Sequence, residues 1–504
     1  MKNSKRKSVN GQVGKFKLRN HVLVSALAAA GLISFAPGML AASLPLPTPC
    51  AGGSCGNSTG ISTPFVQAGS ATASTSGTAM TIKQNTQTAI LNWRDFNIAK
   101  GYSVKFDQPS ITSSALNKIW DASPTNISGA LTSNGQVYLI NQNGIVFGNG
   151  AQVNVGALIA SSLDIKDELF TAGYLTNTKV LPAFSGSGGF VKVEGGATIN
   201  GERVMLFAPV VENSGNISTA SGQVVLAAGN KVYLQASQDP NLRGVLVEVD
   251  VDTPGVADAN LAGKGLLHTE AGTVTNAADI VAERGNTTLV GFAVNQQGRI
   301  SATTSVTENG SIKLLARYGV QGANQNADDL TDVFVPAKGT IDAHYDNRAT
   351  QTGKVTLADG SVTAVLPQEI FDPQQNKFVP DTATNTDGQG FKSSIVEVMG
   401  NTIDMQNGSK IIVPDGKVTL AAISSYVPYV APQEEVPATD TSPAIPAVAE
   451  VLASGLIPKA SINSAYQEVA SPTKENPDLS TSFLNPNFIP APAVTGDTAR
   501  VFLD

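Results

Sequence analysis

Residues 129–164 read GALTSNGQVYLINQNGIVFGNGAQVNVGALIASSLD, and this stretch decides the fold. Two short β-type runs, 137–140 and 144–147, are separated by Asn-Gln-Asn, and further runs follow at 152–155 and 158–159. Asn and Gly interrupt the chain every few residues. The runs are long enough for strands and too often broken for a helix. A chain that buries Val, Ile and Leu between such frequent turns lays down short strands.

Further along, one unit recurs. It reads GERVMLFA from Gly201, GQVVLAAG from Gly222, GNTTLVGF from Gly285, GSIKLLAR from Gly310, GKVTLADG from Gly353 and GKVTLAAI from Gly416. The spacings of 21 residues (Gly201 to Gly222) and 25 residues (Gly285 to Gly310) suit one turn of a solenoid. The 63-residue gaps, Gly222 to Gly285 and Gly353 to Gly416, hold about three turns or fewer turns carrying loops. A strand with Val-x-Leu inward cannot bury its apolar face alone. Stacked turns bury it and pair their backbones with the turns on either side. The expectation is an all-β chain, a right-handed parallel β-helix with an N-terminal cap, of roughly fifteen turns and ~70 Å. An antiparallel sandwich or propeller explains the Gly-x-Val-x-Leu recurrence less well.

Composition agrees: 48 Gly among 504 residues, 6% aromatic and 14% charged. Residues 1–42 differ from the rest. They hold seven basic residues and no acid, then an apolar run ending in Met39-Leu40-Ala41-Ala42. This reads as a signal peptide for signal peptidase and the general secretion machinery, with a membrane anchor as the alternative. Without the leader the charge is 26 − 40 = −14. That balance argues against nucleic acid as a partner, because no broad positive field meets the phosphates.

Cys50 and Cys55 are the only cysteines, and a local bridge is the first choice. Two thiols and three histidines (His21, His268 and His344) do not suggest a metal site, and no cofactor is expected. Asp164, Asp167 and Glu168, and Asp328, Asp329 and Asp332, read as solvated groups. Trp93, Phe96, Tyr102, Phe106 and Trp120 gather within 28 residues. They form either a sugar-stacking patch or, the preferred reading, a plug over the first end of the rod. The expected organisation is a leader (1–42), a Ser/Thr/Gly-rich lead-in with the cysteine pair (43–79), a capped β-helix (80–250) and a continuing β-helix with an insertion near 366–388 (251–425). A Pro/Ala-rich linker and irregular tail (426–504) follow.

Several motifs in order resemble the N-terminal secretion domain of two-partner secretion exoproteins of the filamentous haemagglutinin type. They are Ala89-Ile90-Leu91-Asn92-Trp93 with Phe96-Asn97-Ile98, Ala115-Leu116-Asn117-Lys118, Asn134-Gly135-Gln136-Val137, and Asn141-Gln142-Asn143-Gly144-Ile145 with Phe147-Gly148. Gln142 stands where that family usually has Pro, and residues 121–126 lack a second motif of one branch, Asn-Pro-Asn-Leu. The resemblance implies export through an outer-membrane barrel transporter with periplasmic domains, and a place outside or on the surface of a Gram-negative cell. It makes Asn92, Trp93, Phe96, Asn97, Asn117, Asn134, Gly135, Asn141, Gln142, Asn143, Gly144 and Ile145 the candidate secretion and structural residues. The main functional expectation is a non-enzymatic adhesin with a host-cell or matrix ligand, protein or glycan. The alternatives are a polysaccharide-active β-helix enzyme, or a haem-acquisition or contact-dependent toxin exoprotein of the same secretion class.

Overall fold

The computed structural model describes residues 45–51, 55, 63–173, 182–236, 244–305, 308–320, 349–380, 392–414 and 416–422, with short strand pieces beyond Val427. The leader, Asp328, Asp329, Asp332, His344 and most of the tail lie outside the described residues.

The chain winds into a right-handed parallel β-helix with three faces. The first sheet stacks Thr88–Asp95, Ser114–Ile119, Gln136–Ile140, Ala157–Ser161, Arg203–Ala208, Gln223–Ala228, Asn286–Gly291, Ser311–Val320, Ile395–Gly400 and Lys417–Ala422. The second runs from Ala79–Gln84 through Gln152–Asn154 to Lys410–Ile412, and the third from Thr125–Ile127 through Ile145–Phe147 to Thr402–Met405. Among the described residues, ten rungs of the first sheet at strand spacing give about 43 Å of rod, against the roughly fifteen turns expected. The difference lies in the long gaps. Gln223 pairs directly with Asn286, so residues 223–286 are one turn carrying excursions.

Register explains the recurrent unit. One inward column of the first sheet reads Leu91, Asn117, Leu139, Ala160, Leu206, Leu226, Leu289, Leu314, Val398 and Leu420. The second sheet supplies Met80, Val104, Leu131, Val153, Ile199, Ile217, Ile280 and Ile300 in the same manner. The apolar members of these columns form one continuous core, with Leu420 only partly buried at its edge. The unit at Gly353 departs from its siblings. Lys354–Leu357 lies on the third sheet, between Ala293–Gln296 and Thr402–Met405, so the same letters serve a different face. Both faces need Val and Leu inward, and the string alone carries no mark of which corner it follows.

A second apolar layer covers the outside of the first sheet. Ile90, Leu116, Tyr138, Ile159, Met205 and Val225 form an outward column, which turns polar at Thr288, Lys313 and Glu397. Over the apolar part lie the helix Asp167–Ala172, through Phe170, and an antiparallel sheet of Phe184–Ser185, Lys231–Ala236 and Val245–Asp250. Where the cover ends, Lys313 and Glu397 pair at 3.0 Å. Burial on both faces is why 204–208 and 224–228 read as continuous apolar runs.

The N-terminal end is closed by antiparallel strands. Thr48–Pro49 and Val66–Ala68 lie against Thr88–Asp95, and Ala71–Ser76 pairs with Ala79–Gln84. Cys50 and Cys55 are joined by a disulfide. Trp93, Phe96 and Phe106 are fully buried there, with Phe65 edge-on to Trp93 at 5.0 Å. Trp120 does not join this plug and is 42% exposed. Asp164 and Asp167 are not merely solvated, since Lys118 Nζ reaches them at 3.2 and 2.6 Å. The polar insertion contains a hairpin, Glu369–Asp372 against Lys377–Pro380.

Candidate secretion site

The residues singled out by sequence fall at the turns and buried joints of the first coils, where their polar side chains tie one coil to the next. Trp93 and Asn117 meet in the core. The indole Nε1 donates to Asn117 Oδ1 at 2.9 Å, and Asn117 Nδ2 donates to the carbonyls of Tyr138 (3.0 Å) and Ala115 (3.2 Å). Three successive rungs thus share one amide. A buried amide is tolerable here because its oxygen and both its donor contacts are used. Phe96 packs edge-on to Trp93 at 5.1 Å and lies stacked with Phe106 at 6.4 Å.

Asn92 points away from the core, yet it is 2% exposed. Its Nδ2 donates to Pro64 O at 3.0 Å, its Oδ1 accepts from Trp120 Nε1 at 3.0 Å, and its carbonyl accepts from Cys50 N–H at 3.1 Å. One asparagine therefore fastens both capping segments. Asn97 Oδ1 accepts from Asn126 N–H at 2.8 Å. Asn134 exchanges two bonds with the backbone of Gln108, at 2.9 and 2.7 Å. Gly135 follows at a corner so tight that a Cβ would lie 2.6 Å from Gln108 Oε1 and 2.7 Å from Ser113 O.

Residues 141–144 form a closed turn. Gly144 N–H donates to Asn141 O at 2.9 Å, and Asn143 N–H to Asn141 Oδ1 at 2.9 Å. Asn141 Nδ2 reaches back a full coil to Ser123 O and Thr125 Oγ1, both at 3.0 Å, and Asn143 Nδ2 reaches Asp121 O at 2.8 Å. Gly144 sits at φ +116 with the Phe190 ring 3.0 Å from where a Cβ would stand. A side chain is excluded both by backbone conformation and by space. Ile145 then enters the third sheet between Thr125 and Val191, fully buried. Gln142 is exposed.

Sequence reasoning missed two other polar devices. Asn213 Nδ2 donates to Asn276 Oδ1 at 2.8 Å, and Asn276 Nδ2 to Gln296 Oε1 at 2.9 Å, a buried amide row through three coils of the third sheet. Gln108 Nε2 donates to Gln84 Oε1 at 2.9 Å at the opposite corner. An Asn or Gln at matching depth in successive turns is the available signal, but it needs the register first. Near the cap, Asp95 is 7% exposed; burial raises its carboxyl pKa, against lowering contributions from a Thr48 hydrogen bond and Arg94. Among the described residues, no group of three or more His, Cys, Asp or Glu side chains converges to hold a metal.

The sequence profile of the TPS secretion domain matches residues 62–322, more than half of the chain. The chain belongs to the two-partner secretion family. Its cap and first coils are the family's secretion domain, a non-catalytic module that pairs with an outer-membrane transporter in secreted or surface-associated proteins of Gram-negative bacteria. Two curated relatives from Haemophilus influenzae, each called "Heme/hemopexin-binding protein", are similar. One is 33% identical over 174 residues, covering 32% of this chain and 18% of the relative. The other is 39% identical over 92 residues, covering 18% of this chain and 10% of the relative. The matched stretch thus spans less than a fifth of these relatives' length. A solved structure, the HMW1 secretion domain from Haemophilus influenzae, aligns over 71% of this chain and 96% of its own at 21% identity, with a TM-score of 0.43.

Proposed function

We propose that this chain is the export module and first rod segment of a haem-acquisition exoprotein, the alternative within the secretion class rather than the adhesin first expected. The observation that supports it is the pair of relatives named for haem and hemopexin binding, combined with membership of the secretion family. In this reading the cap and the asparagine ties do not touch haem. They engage the barrel transporter's periplasmic domains while the chain is extended, and then act as the joints on which the first coils close. Haem or its carrier is met by the rod and by what the rod displays.

Folding outside the cell supplies a direction to export. Once a first coil is capped, each arriving coil buries its inward Val and Leu against a surface already formed, so the folded state outside draws the chain forward by mass action. Co-expression with and without the barrel transporter, with released protein measured, tests the export step. Replacing residues 141–144, or separately the inward Val137 and Leu139, should cut release; full export of both variants would sink the folding account. Capture of haem-loaded hemopexin by the released exoprotein tests the ligand. Export without capture would retain the module and remove the haem reading.

A further inference from the structure

A small pocket of about 150 Å³ lies beside the 141–144 turn and shares Gln142 and Asn143 with it; its apolar floor and its tryptophan have no part in the export reading. Its apolar floor is Ile119 and Ile140, 7% and 3% exposed. Trp120 forms one wall, and Asp121, Asp164 and Gln142 present polar groups around the rim. Trp120 is the exposed member of the chain's two tryptophans, and it is held in place. Its backbone N–H donates to Trp93 O at 2.9 Å and its indole N–H to buried Asn92 at 3.0 Å. An indole fixed through its N–H offers ring surface to a ligand with little rotamer entropy left to lose.

Around it, the turn divides its labour. Asn141 and Asn143 spend their amides on the preceding coil, while Gln142 is exposed on the pocket rim. Asp121 and Asp164 supply acceptors, and Lys118, also on the rim, is neutralised by Asp164 and Asp167. Acceptors outnumber free positive charge, which disfavours an anion. An aromatic wall suits a ligand whose C–H bonds meet the negative face of a π-system, and amide and carboxylate groups suit its hydroxyls. The volume admits one six-membered ring.

We propose that this pocket binds a neutral pyranose, as a single sugar unit or the end of a glycan. This inference does not rest on the haem reading. The test uses the full chain labelled with 5-fluorotryptophan, which gives one resonance for buried Trp93 and one for Trp120. Methyl glucoside, galactoside, mannoside and N-acetylglucosaminide are titrated in turn. The expected result is a saturable shift of the Trp120 resonance with at least one of them and no movement of Trp93. Gln142→Ala should weaken that sugar about fivefold, the loss of one hydrogen bond, with an unchanged Trp93 signal reporting an intact cap. Trp120→Phe should keep the Trp93 resonance and weaken binding, read from the broadening of the sugar's own proton signals. No saturable shift with any of the four sugars, or the same affinity in Gln142→Ala, would overturn the proposal.

Discussion

Asn117 interrupts a column of aliphatic side chains, with Leu91 on one side and Leu139 on the other. Exchange for leucine would complete the column and add apolar burial worth about 2 kcal/mol. Against that gain, the Trp93 indole N–H loses its acceptor at a position sealed from water. An orphaned buried donor costs about 1–3 kcal/mol, and two carbonyls lose a donor besides. The single exchange therefore mixes opposing contributions, and its net effect is less telling than its coupling to Trp93. In a Trp93→Phe background no donor remains to be orphaned, so the leucine keeps its gain and loses most of its penalty. The expected coupling between Asn117→Leu and Trp93→Phe is about 2 kcal/mol. Urea unfolding of the four proteins, followed by far-UV circular dichroism, measures it. Additivity within about 0.5 kcal/mol would refute the claim that the amide is retained to satisfy the indole.

Gly144→Ala should destabilise the cap by about 2 kcal/mol, since φ +116 and the Phe190 ring both oppose a Cβ, and should lower released protein in a secretion assay. Asn141→Ala removes bonds to Ser123 O, Thr125 Oγ1 and Asn143 N–H and should cost about 2–3 kcal/mol in chemical denaturation. Replacing both Cys50 and Cys55 with Ser should cost about 2 kcal/mol, the figure for so short a loop, with faster hydrogen exchange confined to the capping strands. Tyr233 has its pKa raised from 10.0 to about 12 by burial first, with Asp250 and Asp252 adding to it. Its proton is held more tightly in the folded chain, so the stability it contributes is complete below pH 10 and is lost as pH rises through about 12. Tyr233→Phe should remove that part of the alkaline slope in melting temperature between those limits.

The inward columns were legible because their period is local. Val-x-Leu after a corner glycine marks a strand wherever it occurs, and the parallel stacking follows from its recurrence. The face assignment was not legible: Gly353 and Gly416 open nearly the same words on different sheets, because all three faces make the same demand of a strand. Among the described residues the coils number fewer than the roughly fifteen expected, for a related reason. Lys231–Ala236 and Val245–Asp250 are themselves β, yet they serve as cover and not as rungs. Among the motif residues, asparagine at a turn was visible as turn chemistry. That Asn117 serves an indole and Asn92 two capping segments needed coordinates, since the partners lie 24 and 28 residues away.

The amide row Asn213–Asn276–Gln296 bears on how this rod avoids misassembly. Aliphatic columns are nearly interchangeable: a coil slipped by one full turn would still place Val on Val and Leu on Leu. A buried amide is not interchangeable in that way. Set against a neighbour without a matching amide, it would be left with unmet donors in the core, a penalty the aliphatic residues never impose. The row acts as an index mark that distinguishes the correct coil-on-coil match from its near-equivalents. In the export account proposed above, where coils arrive one after another, such a mark would set each arriving coil on its proper neighbour.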